Sequence, residues 1–317
     1  MSVSIIVGGQ FGSEGKGKVA YHFAKDHKVI VRCGGTNSGH TIVDRKLYIF
    51  RQLPTASILP NKQLVLCAGS YIDLDILKEE LLLLNSNSKL YIDPDAVIIQ
   101  DKHISSESDI MGSIGSTGSG TGAAVIERLS RRNDILFAKD VPFLKKYIYD
   151  TSELFFNCKE NILIEGTQGF GLSPLHSGMY PKVTSRDTTA AGFLSEVGIS
   201  PLLVKNVIMV IRTYPIRVAG NSGPMNDEID WASVSKEAGK DIKEYTSVTK
   251  HLRRVSKFDV NIVKDAIKVN SPNIICLNHL DYIKEDLRDA FVQKIELGLE
   301  RKINYYGLNR ENINELR

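Results

Sequence analysis

Cysteine is scarce in this sequence, with four residues among 317. No two of them are close enough to form a CxxC-type metal clip, and a disulfide-dense secreted scaffold would contain more of them in a shorter chain. The composition therefore predicts free thiols in a reducing compartment, at Cys33, Cys67, Cys158 and Cys276.

Long apolar runs and an excess of one charge sign are also missing. No stretch approaches the roughly 20 apolar residues of a membrane span, and the opening MSVSIIVGG has too short an apolar segment for a signal peptide. Lysine and arginine number 40 against 37 acidic residues, a net charge of +3. This balance favours neither nucleic-acid nor membrane binding, and we expect a cytoplasmic protein without either partner.

The sequence does contain short apolar runs that alternate with helical patterns. The runs, typical of strands in a buried sheet, lie at residues 3–7, 29–32, 64–68, 97–100, 162–165, 207–213 and 274–278. Helical patterns lie at residues 17–25, 73–84 and 259–269. This alternation predicts an α/β fold with a mostly parallel central sheet covered by helices, and ligands at the carboxyl ends of the strands. Residues 1–317 show no repeat or boundary and are predicted to form a single domain.

Residues 8–18, GGQFGSEGKGK, follow the first predicted strand and open a helix. Glycines let backbone N–H groups approach an anion, and a helix N-terminus favours negative charge, so the loop is a candidate phosphate cradle with Lys16 as its cation. It is not a Walker A loop, because Gly17 stands where Ser or Thr would hold the metal. The alternative is a tight strand-to-helix turn.

Four further clusters are candidates for chemistry, and each has a structural alternative. His40 in residues 34–41 suits proton donation or phosphate contact, or a purely structural hydrogen bond. The glycine-rich residues 111–124 are typical of a linker or of a phosphate loop. Hydroxyls and amides in residues 166–169 and 180–189 suit a base, a phosphate or helix caps. Residues 246–254 carry arginines that suit a carboxylate, or form a solvated basic loop.

Taken together and in this order, eight segments resemble the signature segments of adenylosuccinate synthetases. The resemblance runs from Val3 to about Asp281 and is closest to the compact form of the family. The segments are GGQFGSEGKGK, GGTNSGHT, GSTGSGTGAA, EGTQG, YPKVTSRDTT, IRVAGNSGP, TSVTKHLRRV and CLNHLD. The fold implied is the adenylosuccinate synthetase fold, which is related to the P-loop NTPases.

In that family a two-step reaction joins aspartate to C6 of a purine nucleotide. The 6-oxo group attacks the γ-phosphate of a triphosphate, and the amino group of aspartate then displaces phosphate from the 6-phosphoryl intermediate. Such chemistry needs a base at purine N1, an acid or positive charge at the γ-phosphate, Mg²⁺ and a carboxylate clamp. The resemblance therefore implies Mg²⁺ as the cofactor.

The resemblance also assigns site residues by position. The catalytic set is Ser13, Lys16, His40 and Gln168. The triphosphate set is Gly12, Glu14, Gly15, Lys16, Gly17, Gly39, Thr41, Asn278 and Asp281. The monophosphate set is Ser13, Asn37, Ser116, Thr117, Arg131, Gln168, Thr184 and Val218, with Arg131 entering the neighbouring subunit's site in a homodimer. Aspartate is assigned to Val248, Thr249 and Arg253, and the metal to Ser13 and the Gly39 carbonyl.

Three positions depart from the family pattern. Ser13 replaces the aspartate that acts as the base at N1 and binds Mg²⁺. A shorter side chain makes room beside N1, where guanine carries the 2-amino group that hypoxanthine lacks. His251 replaces an arginine near the ribose hydroxyl, which fits a deoxyribose, and His279 replaces a lysine beside the base-reading Asp281.

These departures resemble a branch of the family found in bacteriophages whose DNA contains 2-aminoadenine. The branch implies dGMP, L-aspartate and ATP, dATP or GTP as substrates, an adenine donor being favoured, and a location in the host cytoplasm if a phage encodes the chain. Two alternatives stay open at this point. One is an ordinary adenylosuccinate synthetase that uses IMP and GTP, and the other is a nucleotide-binding homologue without catalysis.

Overall fold

The computed structural model describes residues 1–114, 117–246 and 250–316. Its strands are β1 (Val3–Gly8), β2 (Val29–Arg32), β3 (His40–Asp44), β4 (Lys46–Phe50), β5 (Gln63–Leu66), β6 (Tyr71–Ile72), β7 (Lys89–Ile92), β8 (Val97–Ile98), β9 (Ile162–Glu165), β10 (Val204–Arg212), β11 (Ile216–Arg217), β12 (Glu228–Ile229), β13 (Arg254–Ser256), β14 (Ile274–Asn278), β15 (Tyr305–Tyr306) and β16 (Asn314–Glu315). Its helices are α1 (Lys16–Ala24), α2 (Leu74–Leu81), α3 (Asp101–Ile114), α4 (Thr121–Leu129), α5 (Thr151–Asn157), α6 (Ala190–Val197), α7 (Trp231–Ala238), α8 (Val260–Asn270) and α9 (Arg288–Leu299).

A large sheet organises the described part of the chain. Its nine strands run in the order β16-β15-β14-β10-β1-β9-β2-β5-β7. All the pairs are parallel except the one between β15 and β16 at the edge. Strand β1 lies in the middle, paired with β10 on one side and β9 on the other, and all six of its residues are buried.

Both faces of this sheet are covered by apolar layers. Val3, Ile5 and Val7 of β1 belong to one core cluster, which includes residues of α6, α8 and α9. Ile6 points into the other, which includes residues of α1 and α2. Burial on both faces explains why the strands are continuous apolar runs rather than alternating ones.

The predicted parallel sheet is confirmed, with differences at the edges. Strands β1, β2, β9, β10 and β14 form where they were predicted, within a few residues. The run at residues 97–100 forms only the two-residue β8, which pairs with β6 outside the large sheet. Edge strand β7 was not predicted, because the segment mixes polar and apolar residues. The glycine-rich residues 111–124 lie partly in α3 and α4.

Parallel pairing places the glycine-rich segments at a common edge. The carboxyl ends of parallel strands lie on the same side of a sheet. Gly8, Gly34, Gly166 and Asn278 stand at or next to the carboxyl ends of β1, β2, β9 and β14. Segments far apart in the sequence therefore meet at one edge.

Gly166, directly after β9, allows the sheet and α6 to approach closely. A Cβ added there would lie 2.4 Å from the Ile6 carbonyl oxygen and 2.2 Å from the Phe193 ring. Gly166→Ala is expected to destabilise the protein by about 1–3 kcal/mol through overpacking. Gly39→Ala is the control, since its nearest neighbours lie at 3.9 Å. Thermal unfolding followed by circular dichroism checks this, and equal Tm values for the two variants would contradict it.

Candidate active site

The loop between β1 and α1 is shaped from within by a buried carboxylate. Glu14 is fully buried, and its Oε1 accepts hydrogen bonds from the backbone N–H groups of Gln10 at 3.1 Å and Gly12 at 2.9 Å. Gly12 and Gly15 have φ angles of 88° and 87°, which favour glycine. The backbone of the loop therefore wraps around the Glu14 carboxylate.

Lys16 is the first residue of α1 and lies inside the same loop. Its Nζ is 2.6 Å from Glu14 Oε2, and both side chains are almost completely buried. The N-terminus of α1 has no side-chain cap, since Gly15 stands at the N-cap. An uncapped N-terminus with a lysine in its first turn is suited to binding a phosphate.

His40 begins β3 and is held by a second buried carboxylate. Its Nδ1 lies 2.5 Å from Oε1 of Glu165, the last residue of β9. Glu165 also accepts from Arg32 Nη1 at 3.2 Å and from the backbone and hydroxyl of Thr55, each at 2.9 Å. Four donors thus satisfy a carboxylate with no solvent exposure.

This environment determines the charge of the imidazole. Burial, reinforced by the positive charge of Arg32, lowers the pKa of His40 to about 4 against the opposing hydrogen bond to Glu165. Burial would raise the pKa of Glu165, but His40 and Arg32 outweigh it and lower that pKa. His40 is therefore neutral near pH 7 in the free protein, with Nδ1–H donating to Glu165.

The other ring nitrogen, Nε2, is buried and has no partner among the described residues. An unpartnered buried nitrogen has a lone pair to offer to a proton or a substrate donor. A negative phosphate placed beside it would raise its pKa and favour the protonated form. The arrangement suits a group that takes up and returns a proton during phosphate chemistry.

Close approaches at glycines bring the other predicted residues to this loop. A Cβ on Gly17 would lie 2.9 Å from His40 Cβ, and one on Gly15 would lie 2.7 Å from Asn278 Nδ2. Asn278 Nδ2 also donates to the Glu14 carbonyl at 2.8 Å. A Cβ on Gly12 would lie 3.9 Å from Gln168 Oε1. The structure therefore brings together His40, Gln168, Asn278 and the residues of the glycine loop.

A second group of polar side chains lies next to β2. Asn37 Nδ2 donates to Thr184 Oγ1 at 3.4 Å. Asn37 Oδ1 and Thr36 Oγ1 are buried and have no partner among the described residues. Such atoms are expected to bind a ligand or water. Exposed Gly39 and Thr41 flank buried His40.

Several predicted site residues are not drawn into these contacts. Thr117 and Arg131 are exposed, the latter just beyond α4, and Val218 is half-buried after β11. Asp281 pairs with Lys240 at 2.8 Å. Ser116, Val248 and Thr249, which were also predicted to belong to the site, lie outside the described residues. Arg253 is half-buried, and its Nε donates to the Tyr245 carbonyl at 3.3 Å.

Sequence reasoning gave no role to several buried charged residues of this edge. Glu165 stood inside the EGTQG segment, and its position as the last residue of a buried strand was an available signal. Arg32 and Arg212 likewise end β2 and β10. Arg217 lies with its guanidinium 4.6 Å from the centre of the Phe11 ring. No sequence pattern indicated a role for Glu244, because its partner Arg212 is 32 residues away.

Comparison with known proteins identifies the family of this chain. The family model described as "Adenylosuccinate synthetase" matches residues 5–141 and 137–289. The chain is 39% identical to the adenylosuccinate synthetase of Methanococcus aeolicus, with 96% of each chain covered. It is 40% identical to that of Methanocaldococcus jannaschii over 90% of this chain and 84% of the relative. The chain belongs to the adenylosuccinate synthetase family.

Solved structures of the family agree with the fold. The succinoaminodeoxyadenylate synthetase of cyanophage S-2L, bound to dGMP and to dATP as energy donor, superposes with a TM-score of 0.88 at 30% identity, covering 99% of this chain and 95% of the other. Fully ligated adenylosuccinate synthetase from Plasmodium falciparum superposes with a TM-score of 0.86 at 22% identity and full coverage of both chains. The latter identity is low enough that it supports the fold alone.

Family membership defines the reaction class. The protein is a C–N ligase that uses a nucleoside triphosphate. Members of the family use Mg²⁺, which takes oxygen ligands and commonly keeps only one or two from the protein beside substrate phosphates. Ser13 and Gly39, the predicted metal ligands, are both exposed and carry oxygens of this kind. Among the described residues, no helix is long and apolar enough to cross a membrane.

We expect His40→Ala to lower kcat by roughly 10²–10⁴-fold, the usual range for a positioned acid–base group, while nucleotide affinity changes little. Single-turnover phosphate release and nucleotide titration measure the two effects. His27→Ala is the control, because that histidine bonds to Phe23 and Ser4 at the other end of β1. An unchanged kcat in His40→Ala would make His40 a structural residue.

Proposed function

We propose that this ligase joins L-aspartate to C6 of dGMP, with ATP or dATP as phosphate donor. The products are 2-amino-2′-deoxyadenylosuccinate, the nucleoside diphosphate and phosphate, and the pathway serves 2-aminoadenine DNA. The reaction passes through a 6-phosphoryl intermediate. Mg²⁺ would be held by Ser13 and the Gly39 carbonyl, and it would neutralise the charge of the transferred phosphate.

The observation that carries this proposal is the residue at position 13. Ser13 is exposed, has a φ angle of 57° and lies in the loop that contacts Gln168 and Asn278. Its backbone is fixed, because its carbonyl accepts a 2.9 Å hydrogen bond from Arg212. A hydroxymethyl group on this fixed backbone occupies less space than a carboxylate and accepts a hydrogen bond from N1–H or from the 2-amino group of guanine.

Two further observations support a deoxyguanosine substrate. His251, where the family has an arginine near the ribose hydroxyl, is exposed, and its described hydrogen bonds are made by its backbone to Thr246. The S-2L synthetase, which resembles this chain over nearly its whole length, was solved with dGMP and dATP. Against these stands the higher identity to the archaeal adenylosuccinate synthetases, which makes IMP the alternative substrate.

The donor subsite supports an adenine base. Asp281 Oδ2 accepts a hydrogen bond from Lys240 at 2.8 Å, so guanine N1–H and N2–H would compete with that lysine for the carboxylate. Burial, together with the charge of Arg212, lowers the pKa of His279 to about 3, so no cation stands where the family has lysine. A single free carboxylate oxygen suffices for the 6-amino group of adenine.

Substrate choice tests the proposal. Wild-type protein should turn over dGMP far better than IMP, and Ser13→Asp should shift the ratio of kcat/KM values towards IMP by about 10²-fold. Aspartate crowds the 2-amino group and restores a base for hypoxanthine. It also tolerates a positive φ well, so the loop should keep its shape.

Ser13→Gly is the matched control, because glycine keeps both the backbone conformation and the room beside N1. It should turn over more slowly but retain the preference for dGMP. Phosphate release is measured with aspartate, with dGMP, GMP or IMP, and with ATP, dATP or GTP at fixed Mg²⁺. Equal use of IMP and dGMP by the wild type would overturn the assignment in favour of an ordinary adenylosuccinate synthetase.

We also propose that the active unit is a homodimer in which Arg131 enters the neighbouring site. Its exposure at the end of α4 leaves it accessible to a second copy. Arg131→Ala and Lys16→Ala should each be inactive, and mixing them should restore activity, because a hybrid dimer contains one intact site. Arg132→Ala, whose arginine pairs with Asp134, should stay active. No recovery after confirmed subunit exchange would contradict a shared site.

A further inference from the structure

Arg212 occupies an unusual position at the carboxyl end of β10. Its side chain is completely buried, although an arginine is seldom fully buried unless it is paired. Nη1 donates to the carbonyl oxygen of Ser13 at 2.9 Å, and Nη2 donates to Oε1 of Glu244. The guanidinium therefore binds both the loop between β1 and α1 and Glu244.

Glu244 is held as a carboxylate between two donors. Burial alone would raise its pKa, but the charge of Arg212 outweighs burial and lowers the pKa to about 2. The hydroxyl of Tyr282 donates to Glu244 Oε1 at 2.9 Å. Tyr282 follows Asp281 directly, so the network reaches the element assigned to the donor base.

The backbone of Glu244 begins a hairpin stem that returns at Arg253. Arg253 N–H donates to the Glu244 carbonyl at 2.9 Å. Tyr245 and Leu252 form an antiparallel bridge, and Thr246 N–H donates to the His251 carbonyl at 2.9 Å. The residue that fixes Arg212 is therefore hydrogen-bonded through its own backbone to a residue assigned to aspartate.

We propose that Arg212 and Glu244 are positioning residues. They couple the hairpin that contains Arg253 to the loop between β1 and α1, so that aspartate and the triphosphate each strengthen the binding of the other. The inference rests on the proposed role of Arg253 in binding aspartate, and it holds for either purine monophosphate. In this proposal neither Arg212 nor Glu244 touches a substrate.

The physical basis is an ion pair between Arg212, which is fully buried, and Glu244, whose side chain is 17% exposed. A guanidinium removed from water needs its carboxylate, and the carboxylate needs the guanidinium, so neither end moves independently. Ser13 is held in a left-handed conformation that a serine rarely adopts, and the hydrogen bond from Arg212 helps to hold it there. Aspartate bound at Arg253 therefore also favours the position of the loop between β1 and α1 that binds the phosphates, and the reverse follows by linkage.

A binding experiment measures the coupling directly. The probe is the β,γ-imido analogue of ATP, titrated by calorimetry with and without saturating L-aspartate, in the presence of whichever monophosphate supports turnover. In the wild type, aspartate should tighten binding of the analogue by about 5-fold or more. In Glu244→Gln the two dissociation constants should agree within about 2-fold, and the KM for aspartate should rise more than kcat falls.

Glu228→Gln is the matched control. Glu228 also pairs with an arginine, at 2.6 Å from Arg254, but lies in β12 of the small sheet, so full coupling should persist. Coupling in Glu244→Gln equal to that of the wild type, or no coupling in the wild type, would overturn the inference. If Glu244→Gln does not fold, Glu244→Asp decides instead: it keeps the charge but draws the carboxylate away from Arg212, so its coupling should fall at least about 2-fold, whereas an unchanged value contradicts the proposal.

The aspartate assignment is tested separately. Arg253→Ala should raise the KM for aspartate without altering affinity for the analogue alone. If it leaves that KM unchanged, the assignment of the hairpin to aspartate is wrong. If the KM rises and Glu244→Gln still couples, the coupling inference is wrong while the assignment stands.

Discussion

Buried charge at the carboxyl edge of the parallel sheet is the constraint on which the site depends. Three carboxylates lie there, two with no exposure and the third, Glu244, half-buried, and each is compensated by a cation within hydrogen-bond distance. The pairs are Glu14–Lys16, Glu165–Arg32 and Glu244–Arg212. Removing one partner would leave an uncompensated buried charge, which costs several kcal/mol. The edge is therefore organised before any substrate arrives, as electrostatic catalysis requires.

Glycine makes this crowding possible. Gly15 allows Asn278 to reach the loop, and Gly169 leaves room for Glu14, whose Oε1 would lie 2.4 Å from a Cβ at that position. Strands that are adjacent in the sheet, but distant in the chain, can then contribute to one cradle. The repeated glycines are a consequence of close packing around buried charges.

The reaction class and the proposed substrate choice depend on different parts of the site. The buried network around Glu14 and Glu165 holds Lys16 and His40, which are suited to triphosphate chemistry on any purine. The proposed choice between guanine and hypoxanthine depends on one exposed side chain, Ser13, on a backbone held from behind by Arg212. Such a division lets a family keep its chemistry while one position changes the substrate.

The sequence by itself determined the parallel α/β fold and the family. Apolar runs buried on both faces predict the central strands well, because burial demands continuous hydrophobicity. The edge strand β7 is not buried at every position, so its sequence is not a continuous apolar run and did not predict a strand. The glycine loop and His40 were visible because spacing within one segment is a local property.

Only the tertiary structure decided how the segments act together. Glu165 meets His40 across 125 residues, and Arg212 meets Ser13 across 199. No local pattern predicts such pairs, since each partner alone is an ordinary polar or charged residue. They become necessary only when parallel pairing brings the carboxyl ends of the strands to one edge and removes their charges from water.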